Sequence, residues 1–104
     1  MTSLAFHPAA LDELEAAVTW YERARPGLGA RFYDAVLAAL ERAEHYPASG
    51  SPVHSAAEAD DDTRLFVVPR FPFVLVVGRA GEAWRVLAVA HTSREPAYWR
   101  TRRP

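Results

Sequence analysis

The chain has 104 residues, with twelve arginines, no lysine, thirteen acids, four histidines and no cysteine, and carries a formal net charge of −1. That length builds one core and leaves no material for a second, and the absence of cysteine excludes a disulfide framework, thiolate catalysis and thiolate metal sites. No run approaches the ~20 apolar residues of a membrane-spanning helix, and the N-terminal MTSLAFHPAALDELE lacks a signal peptide's basic region, so a soluble, cytoplasmic, single-domain protein over 1–104 is expected.

Residues 3–6 read as a short strand, and His7-Pro8 then opens a helix, with proline suited to the first turn. Leu11, Leu14, Val18 and Tyr21 recur at helical spacing and predict an amphipathic helix over about 8–24, in which Trp20 and Tyr21 read as packing residues. Pro26-Gly27-Leu28-Gly29 breaks it. Phe32, Val36, Ala39, Leu40 and Ala43 form the stripe of a second helix over about 29–45, and the short break makes the pair an antiparallel hairpin.

Residues 47–62 have the composition of a long polar loop, and their run Asp60-Asp61-Asp62 has no calcium-loop spacing, so no metal is expected there. Segments 63–68, 71–79 and 83–91 are rich in valine, leucine and phenylalanine and read as an antiparallel meander. On the last strand, alternation puts Trp84, Val86, Ala88 and Ala90 on one face and Arg85, Leu87, Val89 and His91 on the other. The first set is assigned to the helix-covered core. The expected fold class is α+β, ordered β-α-α-β-β-β, with a helical hairpin on one face of a small, mostly antiparallel sheet. The tail 92–104 adds four arginines and two aromatics.

Charge is divided along the chain. Residues 1–62 carry four arginines against eleven acids, whereas residues 63–104 carry eight arginines against only Glu82 and Glu95. An arginine-only composition explains the missing lysine but not why acids avoid the second half. The basic end suits phosphates or an acidic partner.

Taken in order, Phe6-His7-Pro8-Ala9-Ala10, Trp20-Tyr21-Glu22, Pro26-Gly27-Leu28-Gly29 before Phe32, Tyr46-Pro47, Arg64, Phe71-Pro72-Phe73, Ala88-Val89-Ala90-His91, Arg94, Pro96, Tyr98 and Trp99 resemble the RelE/ParE toxins of type II toxin–antitoxin modules, especially the ParE-like, plasmid-stabilisation branch. The resemblance runs over almost the whole chain. It implies a growth-inhibiting toxin, neutralised by a cognate antitoxin in a toxin–antitoxin hetero-oligomer, with no membrane partner.

The family divides by target. ParE-like members poison DNA gyrase, and their dependence on the C-terminal part implies target contacts at Arg94, Tyr98, Trp99, Arg100, Arg102 and Arg103, residue types that carry binding energy at interfaces. RelE-like members cleave mRNA on the ribosome without metal or cofactor. That alternative implies proton transfer by His91 and Tyr98, with Arg64, Arg85 and Arg94 clamping phosphate. A binding-only or inactive member is the third reading. For the antitoxin, the outward strip of Leu87 and Val89, flanked by Arg79 and Arg85, is the expected contact, suited to an acidic amphipathic segment.

Overall fold

His7 and Pro8 begin the first helix as their chemistry predicts. In the computed structural model, which describes residues 4–53, 60–94 and 98–102, His7 caps α1 (Pro8–Ala24) by accepting the Ala9 N–H at its Nδ1, 3.1 Å away, with Pro8 in the first turn. Helix α2 (Leu28–His45) follows after Gly27, whose φ of 88° is the left-handed backbone that glycine adopts without strain. The Glu22 carboxylate reaches from α1 to accept the Gly27 and Gly29 N–H groups, placing a negative charge at the positive end of α2. A side chain at Gly29 would stand 2.6 Å from the Val18 carbonyl, so glycine sets how closely the two helices approach.

The strands are β1 (Ala5–Phe6), β2 (Ser51–Val53), β3 (Asp60–Val67), β4 (Phe73–Ala80) and β5 (Ala83–His91). They form one sheet in the order β1-β5-β4-β3-β2, antiparallel throughout except that β1 runs parallel to β5. This is the expected α+β arrangement with one strand more. The segment 47–62 is not one continuous loop: it holds a 3-10 turn at Pro47–Ser49, β2, and the first residues of β3. Strand β2 is only three residues long and contains Pro52, which an edge position tolerates, so it left no periodic signal.

The helical hairpin covers one sheet face. Phe32, Val36, Ala39 and Ala43 of α2 and Ala10, Leu14 and Ala17 of α1 are buried against Phe66, Val68, Leu75, Val77, Val86 and Val89. At one end Phe32 sits within 5.1 Å, centroid to centroid, of Tyr21, Phe71 and Phe73. Tyr21 packs as expected, but Trp20 and Leu11 are exposed, because Ala10 and Ala17 take the inward positions instead.

One feature overturns the face assignment made for β5. Val76 of β4 pairs with Ala88, and the next residue, Val77, pairs with Val86, so Leu87 is an extra residue in a β-bulge. The bulge reverses the alternation. Trp84 and Val86 face the hairpin before it, and Val89 faces the hairpin after it, whereas Leu87, Ala88 and Ala90 belong to a second cluster on the opposite face. Ala88 and Ala90 are therefore not part of the helix-covered core. Val89, expected outward, is 2% exposed beneath the helices.

Candidate functional site

The chain's own tail covers part of the opposite face of the sheet, over β4 and β5, while Val67 of β3 on that face is 64% exposed. Residues Tyr98–Thr101 form a 3-10 turn that places Trp99 against Val76, Leu87, Ala88 and Ala90, leaving the indole 8% exposed. The expected bare strip is therefore closed: Leu87 lies under Trp99, and Val89 is on the other side.

A single carboxylate ties this turn to the rest of the molecule. Glu13, on α1, accepts the Tyr98 hydroxyl at 2.6 Å, both terminal nitrogens of Arg102 at 2.8 and 3.1 Å, and Arg94 Nη1 at 3.2 Å. Its Oε1 also accepts the Val89 N–H at 3.1 Å, and Arg102 Nη1 donates to the Leu87 carbonyl at 2.9 Å. These two peptide groups flank Ala88, beyond the reach of β1, whose two residues pair only with Arg85 and Val86. The Glu13–Arg102 pair thus satisfies groups on an edge of β5 that would otherwise be open to another strand. Two guanidinium groups lie against the tyrosine ring, with Arg94 Cζ 3.7 Å and Arg102 Cζ 5.1 Å from its centroid.

The electrostatics follow from this packing. Burial by itself would raise the Glu13 pKa, but the hydrogen bonds from Arg102, Tyr98 and the Val89 N–H, with the Arg102 charge, outweigh it and hold the carboxyl below its ordinary value. Burial pushes the Tyr98 hydroxyl up to about 12, reinforced by its hydrogen bond to Glu13 and by the Glu13 charge. The hydrogen bond to Glu13 likewise raises Arg102. At neutral pH the node is an ionised carboxylate receiving a phenol proton and guanidinium protons.

The expected site residues do not converge on one point. Arg94 and Tyr98 meet at Glu13. His91 ends β5, its ring edge-on to Phe73 at 5.1 Å and its Nδ1 accepting the Ser93 N–H at 3.0 Å, which leaves the proton of the neutral ring on Nε2. Arg85 lies six residues earlier on the same strand, about 20 Å away at the rise of an extended chain. Its Nη2 is 3.5 Å from the Phe6 carbonyl, and its buried Nε has no acceptor among the described residues. Arg64 stands two strands away on β3 and donates to the Ala48 and Thr63 carbonyls. Arg79 lies 5.2 Å over Trp84 and so sits on the hairpin side, not beside Leu87. In the tail, Trp99 is buried and Arg102 is mostly enclosed, while Arg94 is 54% exposed and Arg100 is exposed. Arg103 lies outside the described residues. Among the described residues, no three histidine or acidic side chains gather as a metal site would require, and no helix is long and apolar enough to cross a membrane.

Glu13 escaped the sequence reading because Asp12, Glu13 and Glu15 all look like solvated acids off the apolar stripe, near the positive N-terminal end of the helix. The signal was its spacing: Glu13 is three residues after Ala10 and four before Ala17, on the edge of the buried stripe.

A family model described as ParE toxin of type II toxin-antitoxin system, parDE, matches residues 4–96. Among solved structures, the chain is similar to one described as a chromosomal ParDE TA system from P. aeruginosa, with a TM-score of 0.72 and 17% identity over 89% of this chain and 98% of that one. At that identity the likeness is one of fold. Among curated proteins none matches.

Proposed function

The chain belongs to the ParE family of type II toxin–antitoxin toxins, and from that premise we propose that it inhibits growth in the cytoplasm by binding DNA gyrase through its C-terminal segment, under the control of a cognate antitoxin. The observation that carries this reading is the construction of the tail. A basic segment is pinned to the sheet by buried Trp99 and offers Arg94 and Arg100 at the surface. An ordered patch of this kind suits recognition of a protein surface. The ribonuclease reading finds less support, since His91, Arg85 and Arg64 are dispersed and the Tyr98 hydroxyl is engaged by Glu13 with its pKa near 12.

For the antitoxin, burial of Leu87 and Val89, with Arg79 on the hairpin side, narrows the expected contact set to Arg85. Arg85 shares the tail's face of the sheet, and its buried Nε lacks an acceptor that a partner carboxylate would supply. An acidic segment laid on this face, joined in a toxin–antitoxin hetero-oligomer, is the proposed mode of neutralisation.

The test pairs a gyrase supercoiling assay with a ribosome-programmed mRNA cleavage assay, using the wild-type chain, His91→Ala and a chain truncated after Arg94. Loss of supercoiling by wild type only, with intact mRNA, is the expected result. Cleaved mRNA that is protected by His91→Ala would overturn it in favour of a ribonuclease.

A further inference from the structure

We infer that Glu13, a residue of α1 and not of the basic tail, is a positioning residue for target recognition: it turns Tyr98 and Arg102 inward and thereby holds Arg94 outward as the tail's ordered contact group. The inference rests on the tail being the part of the toxin that meets its target.

The donors divide into two sets. Tyr98 commits its hydroxyl proton to Glu13, and Arg102 commits both terminal nitrogens to Glu13 and the Leu87 carbonyl, with its side chain only 16% exposed. No partner can use these groups without stranding a partly buried carboxylate. Arg94 differs. One nitrogen bonds Glu13, the guanidinium lies 3.7 Å over the Tyr98 ring, and the side chain is still 54% exposed. It is held in place and presented together. A surface arginine ordinarily loses rotamer freedom when it binds; here the phenol and carboxylate have already removed much of it. Arg100 belongs to the same 3-10 turn and is exposed beside the buried Trp99.

The carboxylate serves two ends at once. It accepts the Val89 N–H and the Arg102 guanidinium, which fastens the turn to the edge of β5, and it accepts from Arg94 and the Tyr98 hydroxyl, which orders the group that is presented. An apolar residue would leave the Val89 N–H and Arg102 without their acceptor and could not order Arg94.

The experiment uses full-length chains: wild type, Glu13→Gln, Arg94→Gln, and Val36→Ala as a variant destabilised in the hairpin core away from the tail. Growth inhibition and gyrase supercoiling are measured at a temperature where circular dichroism shows every variant folded, with trypsin cleavage after Arg94 and Arg100 followed in parallel. Glu13→Gln and Arg94→Gln should each lose about tenfold or more in potency, the scale of removing a contributing interface group. Glu13→Gln should also expose the tail to trypsin, while Val36→Ala keeps wild-type potency and a protected tail. Wild-type potency in Glu13→Gln, or an equal loss in Val36→Ala, would overturn the inference. A wild-type chain that inhibits growth but not gyrase would refute the gyrase target alone, since the positioning effect is still read on growth. A wild-type chain that does neither would refute both.

Discussion

The two faces of this sheet are packed by different chemistry. On one, thirteen buried residues from α1, α2 and three stretches of the sheet region interlock, with Phe32 amid three other aromatic rings. On the other, five buried residues suffice, four from β4 and β5 and one from the tail, and a charged node at Glu13 holds the covering segment down. The first face is stabilised by non-directional burial, which tolerates small displacements. The second depends on one carboxylate meeting several donors, so it should fail locally and early. That difference separates scaffold from functional surface: the hairpin side carries the fold, and the tail side carries a segment that is ordered yet easily released.

The largest loss is expected at Phe32. Phe32→Ala should cost about 3–5 kcal/mol, much of a small domain's stability, and abolish a cooperative thermal transition or lower its midpoint severely. Trp99→Ala should cost about 2–4 kcal/mol, because the indole lies at the rim of a smaller cluster, and should release the tail while the far-ultraviolet dichroism of the helices persists at low temperature. Replacing Glu13 by Gln should cost about 2–3 kcal/mol, the scale of lost charge-assisted hydrogen bonds at a partly buried site.

The pH dependence sharpens the same contrast. Glu13 is held below its ordinary 4.5, so its contribution is present above that pH and is lost as the pH falls through the depressed folded value. Wild type should therefore lose stability to acid more steeply than Glu13→Gln in chemical unfolding measured from pH 6 to 3. Tyr98 acts oppositely. Its pKa is raised from 10 to about 12, so its contribution is intact below pH 10 and is lost across the interval above it. The smallest expected effect is at Glu22. Glu22→Gln should cost about 0.5–1 kcal/mol in urea unfolding, by weakening the charge at the start of α2 while keeping an acceptor there.

The hairpin face was readable from the sequence because both helices repeat apolar residues at helical spacing and the segments of β3, β4 and β5 are rich in valine, leucine and phenylalanine. Phe32, Val36, Ala39 and Ala43 were identified by spacing alone, and all are buried. The tail face was not. The bulge at Leu87 is invisible because Leu87, Ala88, Val89 and Ala90 are all apolar, so a reversal of alternation leaves no polar residue on the wrong side. The misplacement of Val89 followed from that one inserted residue. Strand β2 was missed for its brevity and its proline. The role of Glu13 depends on residues 76 to 89 positions further along the chain, a separation at which local pattern carries no information. Arg94 and Tyr98 were identified as important, but which of them is offered and which withheld depends on the side of the node each occupies.

Glu13 and Arg102 act as one unit that fastens the tail to the sheet. A double-mutant cycle with Glu13→Gln, Arg102→Gln and the double variant, measured by urea unfolding at pH 7, tests this directly. The expected coupling energy is about 1–3 kcal/mol, with the double variant scarcely less stable than either single one. Additive losses, with a coupling near zero, would contradict it and leave the tail held by Trp99 alone.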